Sequence, residues 1–432
     1  MSRLLEVREF EAITYNEEYR LDEGYKFLEK DSFDELEKFI LNSQYNCESQ
    51  TMDYLKISSK KNVGKIIQAK NFVGLIEIKN GVRVEILPKI FNSSVEETKK
   101  TFIRMLRCLK DFPSKVFNEA NLKMDKMNLY EVFINMYIQQ VRNLVKKGIK
   151  SAYLPVEDSS NFYKGKLLFQ NNIKQNLLHK EKFYVTYDEF SENRPENRLI
   201  KSTLLKLKNI TNSAENIKEI RQLLSVFEMI NSSRNYIEDF TKVIIDRNTK
   251  DYKILLKWSK VFLMNKSFTI FSGSTNARAL LFPMEKVFEA YVSRNLKKVL
   301  DDLNWDVSTQ DRKYYLFDTP KKFALRPDIV INREDGSRVV LDTKWKILIN
   351  KPSQNYGISQ EDMYQMYAYA KKYKTPEIWL IYPCHEEMEN SQDIRFECTE
   401  DEENIRVRIF FIDVANITDS LEALRKILVI RS

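Results

Sequence analysis

Starting at Phe72, apolar and polar residues alternate along Phe-Val-Gly-Leu-Ile-Glu-Ile and again along Val82-Arg-Val-Glu-Ile86, with Asn80-Gly81 between the two runs. That dipeptide is the strongest short-range hairpin signal, because both central residues of a type I′ turn need positive φ. Val82, Val84 and Ile86 share one face of the second strand, Arg83 and Glu85 share the other, and Pro88 ends the pairing. From Val95 the period becomes helical. Phe102, Met105, Leu106 and Leu109 form one stripe, and a second amphipathic run ends at Gly148. Residues 151–190 read as mixed, with strands at 165–169 and 183–187. Helices follow near 195–210, 214–231, 235–249 and 251–264, and Gly273-Ser274-Thr275 marks a boundary.

The last third has a different order. A helix over 282–300 turns Val287, Phe288, Tyr291, Val292 and Leu296 inward. Strands follow around 314–317, 324–332 and 338–346, then a helix over 360–372, strands over 377–382 and 405–412, and a helix over 419–427. These patterns predict an α/β multidomain chain with a β-rich region over 1–95, a mostly helical region over 96–270 and a mixed-sheet α/β domain over 271–432.

Charge sharpens that division. The chain of 432 residues has 70 Lys+Arg and 62 Asp+Glu, a mild +8, but the excess is local. Residues 1–95 hold 14 basic and 16 acidic side chains, residues 96–270 hold 32 and 20, and residues 271–432 hold 24 and 26. A +12 block in the middle suits a polyanion such as nucleic acid. Four scattered cysteines without a CxxC pair exclude zinc ribbons and a disulfide framework, and point to a reduced, cytoplasmic setting. Two histidines leave little room for histidine-based metal sites or Ser-His-Asp triads, so a metal would be held by carboxylates, which favours Mg²⁺ or Mn²⁺. No apolar run is long enough to cross a membrane, and no membrane partner is expected. No P-loop motif occurs, so no nucleotide is expected on this chain.

The chemistry lies in Arg326-Pro-Asp-Ile-Val-Ile-Asn-Arg-Glu-Asp-Gly-Ser-Arg-Val-Val-Leu-Asp-Thr-Lys-Trp-Lys346. Two apolar runs flank Glu334-Asp335-Gly336. A three-residue loop with Gly336 left-handed pairs Arg333 with Ser337, and counting back sets Asp328 opposite Asp342. Opposed carboxylates are destabilising unless something neutralises them, and a divalent cation does so. Lys344, two residues beyond Asp342, falls on the same face. Two carboxylates and an ammonium in a sheet covered on both faces fit a metal site for phosphodiester hydrolysis.

This Pro327-Asp328…Asp342-Thr-Lys344 pattern resembles the PD-(D/E)xK nuclease superfamily. The wider chain resembles the McrC family, nuclease subunits of McrBC-type systems that restrict DNA carrying 5-methylcytosine. The likeness extends over Leu87-Pro-Lys-Ile90, Gly165-Lys-Leu-Leu-Phe169, Tyr184-Val-Thr-Tyr-Asp-Glu-Phe190, Asn197-Arg-Leu-Ile-Lys201, Phe288-Glu-Ala-Tyr-Val292 and Asp362-Met-Tyr-Gln-Met-Tyr-Ala-Tyr369. It implies a C-terminal PD-(D/E)xK domain acting as a Mg²⁺-dependent DNA endonuclease, with Asp328, Asp342 and the Thr343 carbonyl as ligands and Lys344 orienting or deprotonating water. A helix carboxylate, Glu285 or Glu289, joins such sites, and the Phe-Glu context favours Glu289. Gln365 and Tyr369, four apart on one helix face, are similar to a RecB-like Q-x-x-x-Y pair that touches the lysine or the DNA backbone. The expected partners are DNA and an McrB-type AAA+ GTPase ring, the latter docking on the N-terminal β-region.

In the basic third, Lys164, Lys166, Lys174 and Lys182 interleave with aromatic residues, and Arg194, Arg198 and Lys201 follow. Together they are the expected phosphate contacts. Two alternatives stay open on sequence: a free-standing RecB-like exonuclease or repair nuclease, and a non-catalytic activator of the motor.

Overall fold

The computed structural model describes residues 4–45, 55–78, 80–91, 93–110, 112, 128–246, 249–264, 277–388, 393–398 and 404–430. The chain divides into two compact units, residues 1–114 with 267–432, and residues 115–266. This differs from the three-part division at 95/96 and 270/271, and the strands of the first unit give the reason. Gly273-Ser274-Thr275 lies outside the described residues.

The first unit opens with β1 (Leu4–Arg8), β2 (Ala12–Thr14), β3 (Tyr25–Phe27), helix α1 (Lys30–Tyr45), β4 (Leu55–Lys60), β5 (Gly64–Ala69), β6 (Phe72–Ile78), β7 (Arg83–Leu87) and helix α2 (Val95–Leu106). Ser94 caps α2 in a full capping box with Glu97. Strands β3-β2-β5-β4 form one sheet. A second sheet runs β1-β7-β6 and is completed by β11 (Ala277–Pro283), which pairs antiparallel with β6. That late strand ties the N-terminal and C-terminal segments into one unit. Gly74 sits against it with φ of +143°, where a Cβ would come within 1.9 Å of the Leu280 carbonyl oxygen, so no other residue fits there.

The Asn80-Gly81 turn differs from the expected two-residue loop. Ile78 N–H donates to the Val82 carbonyl at 3.0 Å and Gly81 N–H to the Ile78 carbonyl at 3.0 Å, which makes a three-residue loop with Gly81 left-handed at φ +80°. The polar face of β7 is also buried. Arg83 pairs with Glu77 at 3.1 Å, and Lys99 from α2 lies 2.7 Å from both Glu85 and Glu6.

The second unit holds α3 (Leu129–Lys146), β8 (Ala152–Ser160), β9 (Lys166–Leu167), α4 (Phe169–Gln175), β10 (Phe183–Ser191), α5 (Pro195–Ile210), α6 (Ala214–Val226), α7 (Tyr236–Lys242) and α8 (Tyr252–Met264). It is helical apart from the three-stranded sheet β8-β10-β9. The strand expected over 165–169 is short because a helix begins at Phe169, and α7 ends at Lys242, short of 249.

After β11 the first unit continues with α9 (Met284–Val299), β12 (Asp306–Thr309), β13 (Tyr315–Asp318), β14 (Lys321–Ala324), β15 (Ile329–Asn332), β16 (Arg338–Thr343), α10 (Gln360–Tyr373), β17 (Glu377–Pro383), β18 (Arg395–Cys398), β19 (Ile405–Ile412) and α11 (Ile417–Ile430). Six of these strands form a mixed sheet in the order β12-β15-β16-β17-β19-β18, with β16, β17 and β19 parallel. Val330, Val340, Ile378 and Leu380 point into one core with Met366, Tyr369 and Tyr373 of α10. The alternate residues Ile329, Ile331, Val339, Leu341 and Ile381 are fully buried on the other face, against which α9 and α11 lie. Covering on both faces explains the unbroken apolar runs of β15 and β16. Among the described residues no helix is long and apolar enough to cross a membrane.

Candidate functional site

Register fixes the centre of the site. Strand β15 pairs with β16 as Ile329↔Leu341 through Asn332↔Arg338, Arg333 N–H donates to the Ser337 carbonyl at 2.9 Å, and Gly336 has φ of +83°. This is the three-residue loop expected from the sequence, and it brings Asp328 across from Asp342. Asp342 is only 3% exposed, on the face that carries Val340 into the α10 core. Asp328 Oδ2 accepts from the Thr343 N–H at 2.8 Å and from Thr343 Oγ1 at 2.6 Å, which locks one carboxylate to the neighbouring strand.

Lys344 Nζ lies 2.8 Å from Asp342 Oδ2 and 3.5 Å from Asp362 Oδ1, and donates to Gln365 Oε1 at 3.0 Å. The ammonium thus sits as an ion pair against Asp342 Oδ2. Gln365 in turn donates to the Tyr369 hydroxyl at 2.6 Å. Tyr369 is 1% exposed, with its ring in the sheet–α10 core, so it reaches the lysine only through Gln365. Of the two helix glutamates, Glu289 faces the carboxylates. Glu285, one turn earlier, is exposed and takes a bond from Asn71 at 3.4 Å.

Gln310 completes this arrangement and was not singled out in the sequence. Its side-chain amide donates to Glu289 Oε1 and, at 3.3 Å, to Asp328 Oδ1, while its backbone N–H donates to the Asp328 carbonyl at 2.9 Å. Its φ of +53° is left-handed, a conformation uncommon for a non-glycine residue and often found at sites under functional constraint. Asp362, the first residue of the α10 motif, also reaches the site. Its Oδ2 lies 2.7 Å from Lys346 Nζ, and although burial pushes its carboxyl up, this pairing outweighs burial and holds it below the usual range.

The electrostatics follow from crowding like charges. Burial first, and the Asp328 charge second, push Glu289 up to about 7. Asp342 is raised for the same two reasons, and Asp328 is raised by burial against the bonds from Thr343. Lys344 moves up as well, because Asp342 and Asp362 outweigh the burial that would lower it. These side chains line a cavity of about 340 Å³ whose rim includes Arg326, Lys346 and Trp345.

The N-terminal segment supports this wall from behind. Glu9, buried and 1% exposed, accepts from the Trp345 indole N–H at 3.1 Å on both carboxylate oxygens and from the Lys89 N–H at 3.1 Å. Burial lifts its carboxyl to about 8. The Trp345 ring also packs, tilted, 5.2 Å from that of Phe288, the residue before Glu289.

Among the described residues no three His, Cys, Asp or Glu side chains stand ready as a metal cluster. The donor set still suits a hard divalent cation. Two carboxylates oppose each other on adjacent strands, burial raises both, and the Asp328 charge raises Asp342 further.

The expected phosphate contacts divide into two groups. Lys164, Lys166 and Lys174 are exposed and Lys182 is half-buried, around the β8-β10-β9 sheet and α4, with Lys164 seated 3.5 Å over the Tyr187 ring. The other three are engaged within the chain. Arg194 holds the buried Glu196 at 3.2 Å, Arg198 grips Asp239 at 2.5 Å and the Asn193 carbonyl at 2.7 Å, and Lys201 donates to the Ile230 and Glu228 carbonyls.

With this geometry in place, comparison with known proteins is informative. A solved chain in a refined half-complex from a tetradecameric assembly of Thermococcus gammatolerans McrB AAA+ hexamers with bound McrC superposes with a TM-score of 0.67 at 20% identity, over 98% of this chain and 100% of that one. A chain of the cryo-EM structure of the Thermococcus gammatolerans McrBC complex gives 0.47 at 22% identity, over 69% of this chain and 88% of that one. No curated protein matches the sequence. The first likeness shows a shared fold. The sequence model of a family described as McrBC 5-methylcytosine restriction system component matches residues 67–383, a span that holds both glycine-turned hairpins, Glu289, Gln310 and α10. The chain belongs to that family.

Proposed function

We propose that this chain is the DNA-cutting subunit of a modification-dependent restriction complex, a Mg²⁺-dependent endonuclease that works with an McrB-type AAA+ GTPase ring. The observation that carries the reading is the juxtaposition of Asp328, Asp342 and Lys344 in a buried sheet. Family membership and the assemblies recorded for the similar fold support the choice of partner.

Asp328, Asp342 and the Thr343 carbonyl would hold the cation, with Glu289 as a further donor. The cation, when bound, would neutralise the opposed carboxylates, polarise the phosphodiester and make a bound water a stronger nucleophile. The Asp342 and Asp362 carboxylates favour the Lys344 ammonium, which would donate hydrogen bonds to the water and to the phosphoryl oxygens as negative charge grows there. Gln365, anchored by Tyr369, fixes the direction of that ammonium. Gln310 keeps Glu289 and Asp328 at one spacing. The exposed lysines from 164 to 182 would hold DNA without reading its sequence.

The test combines the chain with its candidate motor, GTP, Mg²⁺ and a methylated plasmid, comparing the wild type with Asp342→Ala. Loss of cleavage with stimulation of the GTPase retained is expected. Cleavage that survives the substitution overturns the site.

A further inference from the structure

Between Gln310 and Asp328 the chain leaves the six-stranded sheet and returns through β13 and β14, which pair only with each other. Two strands alone are marginally stable in water, and this pair gains little from burial, since every residue from Leu316 to Ala324 is exposed. Phe317 is 57% exposed and Phe323 72%.

The register pairs Phe317 with Lys322 and Asp318 with Lys321, so simple alternation would set Phe323 on the face opposite Phe317. Phe323 instead takes a left-handed backbone with φ of +58°, unfavourable for a residue with a Cβ, and its ring lies edge-on to Phe317 at 5.9 Å. The backbone strain is therefore kept at a place where the ring remains in solvent. Backbone strain of that kind clusters at functional sites and ligand clamps.

Charge identifies the occupant. Residues 310–326 carry five basic side chains (Arg312, Lys313, Lys321, Lys322 and Arg326) and two acidic ones, a net +3 inside a C-terminal segment of net −2. Both acids have partners. Asp318 pairs with Lys372 at 2.7 Å, and Asp311 accepts from the Tyr373 hydroxyl at 3.1 Å. Arg326, at the root of the hairpin, lines the catalytic cavity.

We propose that the β13–β14 hairpin is a DNA arm of the cutting unit. Lys321, Lys322 and Arg326 hold phosphates beside the scissile bond, and Phe317 and Phe323 press into the groove against base edges or steps, as apolar wedges do in bent duplexes. This assignment rests on the reading of the neighbouring site as a DNA nuclease.

The experiment measures anisotropy of a fluorescent duplex bound by the full chain without divalent metal, over a series of salt concentrations. Lys321→Glu with Lys322→Glu should weaken binding by roughly tenfold or more and reduce the salt slope by about 2. Phe323→Gly relieves the left-handed strain, so it should hold or raise the melting temperature while weakening binding with the slope unchanged. Wild-type affinity in both variants overturns the arm, as does a wild type that binds no duplex. Unchanged DNA affinity with loss of association with the AAA+ ring would assign the surface to a protein and also overturns it. If the hairpin variants lose DNA while the wild type binds it but cuts none with Mg²⁺ or Mn²⁺ and the motor, the arm stands and the nuclease reading fails.

Discussion

The β6–β7 and β15–β16 hairpins use the same backbone device. Each turns through three residues with a left-handed glycine, Gly81 in one and Gly336 in the other, and each buries carboxylates in a sheet. In β6–β7 the charges are matched. Lys99 sits 2.7 Å from both Glu85 and Glu6, and although burial pushes the Glu6 carboxyl up, the ammonium outweighs it and holds it low. In β15–β16 two aspartates oppose each other and are both pushed toward neutrality by burial, Asp342 further by the Asp328 charge. In the first arrangement the ammonium outweighs burial, and in the second burial outweighs the Lys344 ammonium, so the aspartates are left favouring a proton or an added cation. Burial of charge alone therefore does not mark a site; the sign of what surrounds it does.

Five measurements sharpen or break this contrast. Asp342→Ala should reduce DNA cleavage by about a thousandfold or more, roughly 4 kcal/mol of transition-state stabilisation, in the plasmid assay with the motor. Lys99→Met should lower the unfolding free energy by about 3 kcal/mol in urea titrations, because it strands two carboxylates in a sheet. A loss under 1 kcal/mol would mean that the matched hairpin is not held by its ion pairs. Gln310→Ala should slow cleavage by roughly tenfold to a hundredfold with metal affinity weakened in parallel, as read by Mn²⁺ titration, since two carboxylates lose their common donor.

The smallest effect is on stability and has the opposite sign to that of Lys99→Met. Asp342→Asn should stabilise the metal-free chain by about 1 kcal/mol at pH 8. The pH dependence follows from the raised carboxyls. Glu289 moves from 4.5 to about 7 on folding, so its stabilising share is complete below about 4.5 and is lost as pH rises through about 7, with Asp342 acting in the same direction. Melting temperature of the wild type without metal should fall across that window and recover when Mg²⁺ is added at pH 8. A flat profile would remove the contrast.

Much of the β15–β16 hairpin is legible in the sequence because its information is local. Gly336 sets the loop length, the loop length sets the register, and the register sets Asp328 against Asp342. Helical spacing put Glu285 and Glu289 on one stripe, but which of them meets the sheet depends on where α9 starts, a property of packing. Gln310 left no trace, because a glutamine in a left-handed conformation after a four-residue strand has no sequence signature. Arg194, Arg198 and Lys201 read as part of a basic run, and only tertiary contacts show them spent on Glu196, Asp239 and backbone carbonyls. The strands before Phe72 were missed as well, being short and weakly alternating.

The strand at Ala277–Pro283 has a consequence for how the chain is made. Strand β6 ends at Ile78, so about 200 residues are synthesised before β11 arrives to cover its open edge. At ordinary translation rates that edge waits on the order of 10 to 40 seconds on the ribosome, while residues 115–266 emerge as a unit able to close on itself. An uncovered strand of this apolar character is a template for wrong pairing. Slow elongation or truncation before Ala277 should therefore send the chain to aggregates or chaperones, which makes the timing of synthesis part of how this protein is kept in supply.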